Sequence, residues 1–460
     1  MTHDLISALQ RSLGEHKVLN GTAVAGRYHH IWKMNEPLKA IAVLLPQSTE
    51  DVAAAMKICH QYDQPVAIHG GLTNLVGATE TTENEVVISL EKLNNIVELD
   101  EKSRTITVEA GVILENVQMA AAEKDLLFPL NFGAKGSAQI GGAISTNAGG
   151  LRVFRYGMTR SQVLGIEAVL ADGTIVSSLK KLIKDNSGYD LKQLFVGSEG
   201  TLGIVTKAVL KLVAAPKSRC SAFVGFNEYD KIISFLKYMD SGLAGTLSGY
   251  ELIWQPTYQK MTTPETVKLP LPTDYKYYIL LDSLGSNQEQ DHATMTALLE
   301  QAMENDMIAD AVMTHSQSDI EWFWSIREDV HVVASNCTID QHFDVSMPIA
   351  LIGKYVDDTM VELSKVEGVN ACYPFGHVAD GNVHFIVDKA NDSDPLREKI
   401  NDVVYNPLRA IGGSVSAEHG IGVHKKRYLH LCRSPAEITL MKTLKTAMDP
   451  KNLLNRGKIF

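Results

Sequence analysis

Glycine clusters that follow short apolar runs constrain the fold of this chain more than any other feature of its sequence. The apolar run at 65–68 favours a strand and leads directly into a glycine-rich loop at 69–77. Glycine lets the backbone approach a ligand closely, and amides beyond the end of a strand can turn outward to hold a phosphate. The loop is neither a G-x-G-x-x-G fingerprint nor a G-x-x-x-x-G-K-[ST] loop. By itself it is therefore a weak indication of a nucleotide site.

Further glycine clusters in the same half of the chain strengthen this indication. They lie at 133–137, 141–150 and 197–200, and strand-like runs accompany them at 86–90, 105–108, 163–170 and 203–206. Several glycine-lined loops on one surface suit a long, flat ligand that carries phosphates, such as a dinucleotide. Plain structural turns are the alternative explanation for these glycines.

The other local patterns mix strands with helices. A helix is predicted from residue 51 to about 62, with Ser48 and Asp51 at the positions of a capping box. Other segments favour strands at 40–45 and 277–281, a hairpin turn at 171–174 and an amphipathic helix at 229–237. This mixture indicates an α+β protein.

Two histidines, His377 and His384, enclose the turn-forming triplet Asp380-Gly381-Asn382. A helix would place both rings on one face, but the triplet and the β-branched run at 383–387 favour a tight turn that leads into a strand. Such a turn can bring both imidazoles to one point, as metal ligation requires. Because the chain has 15 histidines, chance proximity is the alternative.

A second acidic and basic pair, Glu418 and His419, lies in the glycine-flanked segment 414–422. Two neutral imidazoles and one carboxylate, with a coordination position left open, are typical of a catalytic divalent-metal site. This ligand set fits Zn²⁺ best, and Mn²⁺ or Fe²⁺ are alternatives. The sequence therefore predicts a metal bound by His377, His384 and Glu418.

The overall charge and length narrow the class of protein. A formal net charge of −11 argues against nucleic acid and anionic membrane surfaces as partners. No run approaches the ~18 apolar residues of a membrane span, and the N-terminus lacks the features of a secretory signal. The 5 cysteines are far apart, which indicates reduced thiols. These features predict a cytoplasmic protein, not integral to a membrane, and a length of 460 residues predicts two or three domains.

Several segments resemble the FAD-binding domain of the vanillyl-alcohol oxidase superfamily. These segments are 69–77, 129–137, 140–142, 146–150, 185–191 and 197–203. Within the superfamily, the chain most resembles the FAD-linked D-2-hydroxyacid dehydrogenases, particularly the D-2-hydroxyglutarate dehydrogenases. Segment 377–384 matches the family's metal signature, 416–422 is similar to its second signature, and 448–455 to its closing segment. The resemblance extends from about residue 43 to residue 460 and is weakest between 213 and 322.

The resemblance implies an α+β fold with two domains. Residues 1–212 would form a two-subdomain FAD-binding domain of the PCMH type. Residues 213–405 would form a cap domain that holds the substrate, with an antiparallel sheet and flanking helices. The C-terminal segment 406–460 would pack back at the domain junction, and a homodimer is expected.

The resemblance also implies which residues hold FAD. Part of the superfamily binds flavin covalently through a histidine directly after the two glycines of the first loop. Leu72 occupies that position here, so noncovalent FAD is expected. The residues expected at the cofactor are Ile68, His69, Gly70, Gly71, Leu72, Thr73, Asn74, Gly77, Pro129, Gly133, Gly136, Ser137, Gly141, Gly142, Asn147, Gly149, Gly150, Gly200, Gly203, Ile204 and Asn455.

The chemistry implied by the resemblance is oxidation of a D-2-hydroxy acid by FAD with the help of the metal. His419 would contact the substrate and act as the general base, beside the ligand Glu418. Arg327 matches the family's arginine for the substrate carboxylate, a role that suits its fixed fork of donors. Asn382 would bind that carboxylate or orient a ligand, and an ordinary turn asparagine is the alternative.

Two departures from the family pattern concern the substrate. The family's threonine and lysine near the substrate are replaced by His331 and His342, both of which are expected to contact it. A lysine carries a fixed charge, whereas a histidine is only partly charged near pH 7. These replacements argue against the five-carbon diacid and favour a smaller, differently polar or aromatic 2-hydroxy acid. The substrates that the resemblance implies are D-2-hydroxyglutarate, D-lactate, D-malate or a similar D-2-hydroxy acid.

The resemblance further implies that electrons leave the flavin for another molecule. The expected acceptor is an electron-transfer flavoprotein, a cytochrome or a quinone. One alternative is an oxidase of the same fold that uses O₂ on an alcohol or sugar. Another is a flavin-binding subunit of a larger electron-transfer assembly without a substrate site of its own.

Overall fold

The computed structural model of the protein describes residues 2–27, 37–263, 268–328 and 330–460, without the side chain of His331. Packing divides the chain into two compact units. The first unit comprises Met1–Gly149, Gly157–Ala215 and Glu418–Phe460, and the second comprises Gly150–Tyr156 and Pro216–Ala417. The predicted boundaries after residues 212 and 405 stay predictions.

A mixed sheet forms one part of the first unit. Its strands lie in the order Val18–Asn20, Ala42–Leu44, Val86–Ser89 and Val66–His69, with only the first pair antiparallel. Every residue of Val86–Ser89 is buried, as expected for a strand that is covered on both faces. Helix Thr49–Gln61 contributes Val52, Met56 and Cys59 to the same hydrophobic core.

An antiparallel sheet forms another part of the first unit. Its strands lie in the order Ile96–Asp100, Thr105–Glu109, Ile204–Lys211, Val163–Val169 and Ile175–Ser178. The predicted hairpin turn joins the last two strands: Gly173 has a φ of +82°, and Asp172 Oδ1 accepts a hydrogen bond from the Thr174 N–H at 2.9 Å. A second core cluster, which includes Phe128 and Ile144, belongs to this part of the unit.

Shorter elements complete the first unit. Its two-stranded ribbon pairs Leu126–Leu127 with Val213–Ala214. Its other helices are Thr2–Leu13, Thr22–Ala25, Leu114–Ala122, Ile140–Thr146, Lys192–Phe195, Leu429–Cys432 and Pro435–Met448, and its 3₁₀ helices are Glu15–Lys17, Thr159–Ser161 and Lys426–Tyr428.

The second unit is built on an antiparallel sheet. Its strands lie in the order Asp310–Met313, Ser218–Phe226, Tyr277–Gly285, Leu247–Trp254, Val369–His377, Asn382–Lys389 and Ile339–Ser346. Its helices are Val153–Tyr156, Tyr229–Gly242, Gln255–Met261, Gln288–Glu304, Gln317–Glu328, Val330–Ser335, Ile352–Ser364 and Asp394–Tyr405, with 3₁₀ helices at Ile349–Leu351, Val378–Asp380 and Asn406–Arg409.

An aromatic cluster packs on one face of this sheet and identifies the polar side chains that share this face. The rings of Tyr258 and Tyr278 stack with their centroids 3.7 Å apart, and Ile253 and Ile386 belong to the same cluster. Because strand residues two apart share a face, residues 251 and 384 point to the same side as Ile253 and Ile386. This face carries His342, His377 and His384, three of the residues that the sequence assigned to chemistry.

The local predictions agree with these elements. The α+β class and the antiparallel sheet are confirmed, and the helix predicted from residue 51 begins at Thr49. Ser48 caps it, since its Oγ accepts a hydrogen bond from the Asp51 N–H at 3.1 Å. In the part of the chain that the structure describes, no helix is long and apolar enough to cross a lipid bilayer.

Candidate active site

The segment from His377 to His384 is a β-hairpin of the second unit. Strand Val369–His377 ends at the first histidine, a 3₁₀ turn follows at Val378–Asp380, and the returning strand begins at Asn382. Gly381 has a φ of +87°, and a β-carbon there would lie 2.5 Å from the Met347 carbonyl oxygen, so the turn requires glycine. The predicted turn is confirmed and the helical alternative is wrong.

The hairpin brings the two histidines together. The ring centroids of His377 and His384 are 5.1 Å apart, and the ring planes are nearly perpendicular at 89°. His377 is 7% exposed, so its imidazole has lost most of its water. Two imidazoles held this close in a partly dry environment suit a shared cation.

A buried glutamate, Glu251, contacts the first histidine. Glu251 lies directly opposite His377 in the neighbouring strand, and its Oε1 is 2.6 Å from His377 Nδ1. Burial alone would raise the pKa of Glu251, but His377 and Arg327 outweigh it and lower that pKa. An ionised carboxylate can only accept, so Nδ1 donates the proton and the tautomer with its lone pair on Nε2 is favoured.

A buried aspartate supports the second histidine. Asp344 is fully buried and lies opposite His384 in the adjacent strand, with its Oδ1 3.6 Å from His384 Nδ1. Its oxygens also accept hydrogen bonds from Asn382 Nδ2 at 2.8 Å and from the Ala417 N–H at 3.1 Å. The predicted contact Asn382 therefore orients Asp344, and Asn382 Oδ1 is buried without a hydrogen-bond partner among the described residues.

A further carboxyl group lies in the turn between the histidines. Burial raises the pKa of Asp380 to about 6; the charge of His377 opposes this effect, and the charges of Glu251 and Asp344 add to it. Several buried acids around two imidazoles make a local field that favours a cation. The donor set of the second unit therefore fits a divalent metal.

Arg327, the predicted carboxylate-binding residue, is 5% exposed on helix Gln317–Glu328. Its Nε and Nη2 donate to Glu251 Oε2 at 2.9 and 2.7 Å, and its guanidinium lies 4.8 Å from the centroid of the Phe375 ring. Neither bond to Glu251 uses Nη1. The guanidinium is thus held in a single plane by a carboxylate and an aromatic ring.

The two residues that depart from the family pattern are placed differently. His331 lies in helix Val330–Ser335, and its side chain lies outside what the structure describes. His342 Nε2 is hydrogen-bonded to Asp340 on the same strand. Because Asp340, His342 and Asp344 alternate with their neighbours, they share the face that carries His384.

Glu418 and His419 belong to the first unit. A β-carbon on Gly149 would lie 2.5 Å from Glu418 Oε1, so this glycine leaves room for the carboxylate. Gly420 has a φ of +84°, a left-handed conformation that favours glycine, so the backbone turns directly after His419. The following loop is tied down because the Ile421 and Gly422 N–H groups donate to the Glu199 carboxylate at 2.7 and 2.8 Å. Burial raises the pKa of Glu199, and those backbone bonds oppose the rise.

The first glycine loop lines a cavity of about 300 Å³ in the first unit. A β-carbon on Gly71 would lie 2.1 Å from the Ser137 carbonyl oxygen, so no side chain fits there. The buried Gln139 Oε1 has no hydrogen-bond partner among the described residues. The cavity is lined by the predicted residues His69, Gly70, Gly71, Leu72, Gly136 and Ser137 and by Arg27, Leu38, Val43, Ser89, Glu91, Ile113 and Gln139. A narrow glycine cradle with an unsatisfied amide oxygen fits a bound cofactor.

Some residues expected at the cofactor have a role within the fold. Asn455 Oδ1 accepts from the Ile68 N–H, and its Nδ2 donates to the Glu199 carbonyl. Gly141 and Gly203 are needed for packing, since β-carbons there would lie 2.7 Å from Ala110 Cβ and 2.6 Å from a Phe195 ring carbon. The other cofactor residues assigned from the sequence stay predictions.

Sequence reasoning missed the carboxylates behind the histidines. Glu251 is the lone charged residue in strand Leu247–Trp254, and every residue of that strand is buried. For Glu251, a single acid among buried residues was therefore the available signal, since burial of a charge requires a partner. The strand of Asp344 also holds Asp340, Gln341 and His342, so its sequence did not single out Asp344.

Comparison with known proteins gives matches along nearly the whole chain. The family described as FAD binding domain matches residues 40–178, and FAD linked oxidases, C-terminal domain, matches residues 215–459. A D-2-hydroxyglutarate dehydrogenase of Stutzerimonas stutzeri is 33% identical, covering 99% of this chain and 98% of that protein. A mitochondrial D-2-hydroxyglutarate dehydrogenase of Danio rerio is 34% identical over 90% of this chain and 78% of that protein.

A solved structure shares the architecture. The crystal structure of p-cresol methylhydroxylase with substrate bound aligns with a TM-score of 0.78 over 99% of this chain and 96% of that chain. The sequence identity is 16%, so the likeness concerns the fold alone. It confirms the predicted PCMH-type FAD-binding fold.

Proposed function

We propose that this chain, which belongs to the FAD-linked D-2-hydroxyacid dehydrogenases of the vanillyl-alcohol oxidase superfamily, oxidises a D-2-hydroxy acid to the 2-oxo acid. The reaction would require FAD and a divalent metal. The observation that carries this proposal is the pair His377 and His384, with buried carboxylate oxygens 2.6 and 3.6 Å from their Nδ1 atoms. Carboxylate–histidine pairs of this kind are typical of metal ligands.

The proposed metal ligands are His377, His384 and Glu418. The two histidines lie in one hairpin with their ring centroids 5.1 Å apart. Glu418 directly follows Ala417, whose N–H is bonded to Asp344, the aspartate that supports His384. Zn²⁺ suits two imidazoles and a carboxylate best, with Mn²⁺ or Fe²⁺ as alternatives. The metal would supply a Lewis acid for the substrate hydroxyl, and FAD would supply the hydride acceptor.

The protein's own side chains would orient the substrate and move its proton. Arg327 would bind the substrate carboxylate through the edge of the guanidinium that faces away from Glu251. His419 would accept the hydroxyl proton at a ring nitrogen, which requires hydrogen-bond reach to the hydroxyl oxygen. Asn382 would act indirectly, because its amide nitrogen holds Asp344.

FAD would be held noncovalently in the glycine-lined cavity of the first unit. Leu72 stands where part of the superfamily carries the histidine that binds flavin covalently. His69 Nε2 is 2.9 Å from the Thr79 carbonyl oxygen, so this ring is engaged within the fold. These contacts support an unmodified flavin that denaturation would release.

The substrate class depends on the strand that carries His342. Asp340 is hydrogen-bonded to His342, so this position has no fixed, uncompensated positive charge for a second carboxylate. The names of the relatives favour D-2-hydroxyglutarate, whereas His342 favours an acid without a second carboxylate, such as D-lactate. We propose electron transfer to a carrier protein or quinone, a cytoplasmic location and a homodimer as further expectations.

Anaerobic bleaching of the flavin tests the proposed function. Purified holoprotein is mixed with a panel of D- and L-2-hydroxy acids, and the flavin absorbance is followed before chelation, after chelation and after Zn²⁺, Mn²⁺ or Fe²⁺ is added back. We expect bleaching by one or more D-acids, its loss on chelation and its return with metal. A flavin that stays oxidised with every acid would overturn the proposal. Aerobic peroxide formation that persists with chelator would indicate the oxidase alternative.

A further inference from the structure

Glu251, which the sequence did not assign to the site, contacts two residues that it did assign. Its carboxylate is fully buried on strand Leu247–Trp254. One oxygen, Oε1, meets His377 Nδ1 at 2.6 Å. The other, Oε2, accepts from Arg327 Nε and Nη2 at 2.9 and 2.7 Å. One side chain therefore contacts both the proposed metal ligand and the proposed substrate arginine.

The strand register makes this arrangement rigid. Glu251 and His377 are directly opposite each other in adjacent antiparallel strands, so their separation is fixed by the ladder of the sheet. Arg327 is held from its other side by the Phe375 ring, at 4.8 Å. A buried carboxylate is stable only with such partners, because an unpaired buried charge costs several kcal/mol.

We propose that Glu251 is a positioning residue that orients His377 and Arg327 together, so that metal affinity and substrate-carboxylate affinity depend on the same side chain. This inference rests on the proposed function. Oε1 selects the tautomer in which His377 offers Nε2 to the metal, as an outer carboxylate does for a ligating histidine. Oε2 holds two nitrogens of Arg327 and leaves its remaining edge for the substrate.

The amide replacement Glu251→Gln separates this role from simple packing. Glutamine has nearly the same shape but only one acceptor oxygen, so its NH₂ must face either the His377 N–H or the Arg327 N–H groups. Facing His377, the NH₂ would favour the tautomer that protonates Nε2, and facing Arg327 it would place donor against donor. Glu251→Asp keeps two acceptor oxygens on a side chain that is one methylene shorter.

The test measures Zn²⁺ affinity by chelator competition in FAD-loaded protein, together with KM and kcat for the preferred hydroxy acid. We expect Glu251→Gln to weaken Zn²⁺ binding roughly 10- to 100-fold, the usual effect of removing an outer partner. We also expect KM to rise at saturating metal, and Glu251→Asp to lie between the wild type and Glu251→Gln. FAD content and the Tm of the metal-free protein verify folding.

The matched control is Asp282→Asn in the same sheet. Asp282 is 3% exposed and accepts hydrogen bonds from Arg219 Nε at 2.8 Å and Ser221 Oγ at 2.7 Å. It is therefore a buried carboxylate paired with an arginine but not with a metal-site histidine, and its replacement should leave Zn²⁺ affinity unchanged. Equal Zn²⁺ affinity in the wild type and both Glu251 variants, or an equal loss in Asp282→Asn, would overturn the inference. A wild-type protein that binds no Zn²⁺, Mn²⁺ or Fe²⁺ would instead count against the proposed function.

Discussion

A β-carbon on Gly149 would lie 2.5 Å from Oε1 of Glu418. The obstructed atom is the end of a flexible side chain, so Gly149→Ala should shift the carboxylate at little cost in stability. We predict that the FAD-loaded variant binds Zn²⁺ at least roughly tenfold more weakly than the FAD-loaded wild type. Chelator competition measures the Zn²⁺ affinity, and flavin absorbance verifies that the variant is loaded with FAD.

Gly26→Ala is the control for this substitution, because a β-carbon there would meet nothing within 4 Å. It adds the same methyl group to the same unit. If Gly149→Ala bound Zn²⁺ as tightly as Gly26→Ala, the assignment of Glu418 as a ligand would be wrong.

Replacing the proposed base should slow chemistry without emptying the flavin site. We predict that His419→Ala lowers the rate of anaerobic flavin reduction by roughly 10²- to 10⁴-fold, because the hydroxyl proton loses its acceptor. Rapid mixing with the preferred hydroxy acid measures this rate. His430→Ala removes an exposed histidine of the same unit and should reduce the flavin at the wild-type rate. Equal rates in the two variants would exclude His419 as the base.

The charge at position 342 should control the choice between monoacids and diacids. We predict that His342→Lys raises the ratio of kcat/KM for D-2-hydroxyglutarate over D-lactate about tenfold, which corresponds to ~1.4 kcal/mol. A lysine would bring a full positive charge to this position, where the histidine is now hydrogen-bonded to Asp340. Asn336→Lys, at an exposed position of the same unit, adds the same charge as a control. An unchanged ratio would remove position 342 from substrate selection.

A buried lysine should make stability depend on alkaline pH. Burial lowers the pKa of Lys458 to about 8, although Glu85, Glu80 and Glu199 oppose the shift. Between pH 8 and the ordinary lysine pKa of about 10.4, the unfolded chain binds a proton that the folded chain has lost, so stability rises with pH. We predict that the wild type gains up to about 3 kcal/mol over this range relative to Lys458→Met. Thermal unfolding of both proteins from pH 7 to 10.5 measures the difference, and parallel Tm curves would contradict it.

Short-range chemistry was readable from the sequence. Ser48 caps its helix as expected, and Gly381 forms the turn that separates the two histidines. Even there, the second half of the predicted capping box differs, since Asp51 Oδ2 accepts from the Gln47 N–H at 2.8 Å and from Lys17. The carboxylate of Asp51 thus accepts hydrogen bonds from the donors that the tertiary structure brings close to it.

The partners of the site residues could not be read in this way. Glu251 and His377 are separated by 126 positions, and only the pairing of two strands makes them neighbours. Gly141 and Gly203 resembled ligand-binding glycines, yet Ala110 and Phe195 explain why neither tolerates a side chain. Contacts between distant segments depend on register and packing, which a local pattern does not encode.

The strand that carries His342 lies at the border of the sheet in the second unit. Ile339–Ser346 pairs with Asn382–Lys389 on one side, and Asp344 near its end supports His384. Side chains further along this outer strand can change without altering the inner ladder that aligns Glu251 with His377. Related proteins would thus differ in substrate preference through residues of this edge strand, while the inner strands that carry Glu251 and His377 stay unchanged.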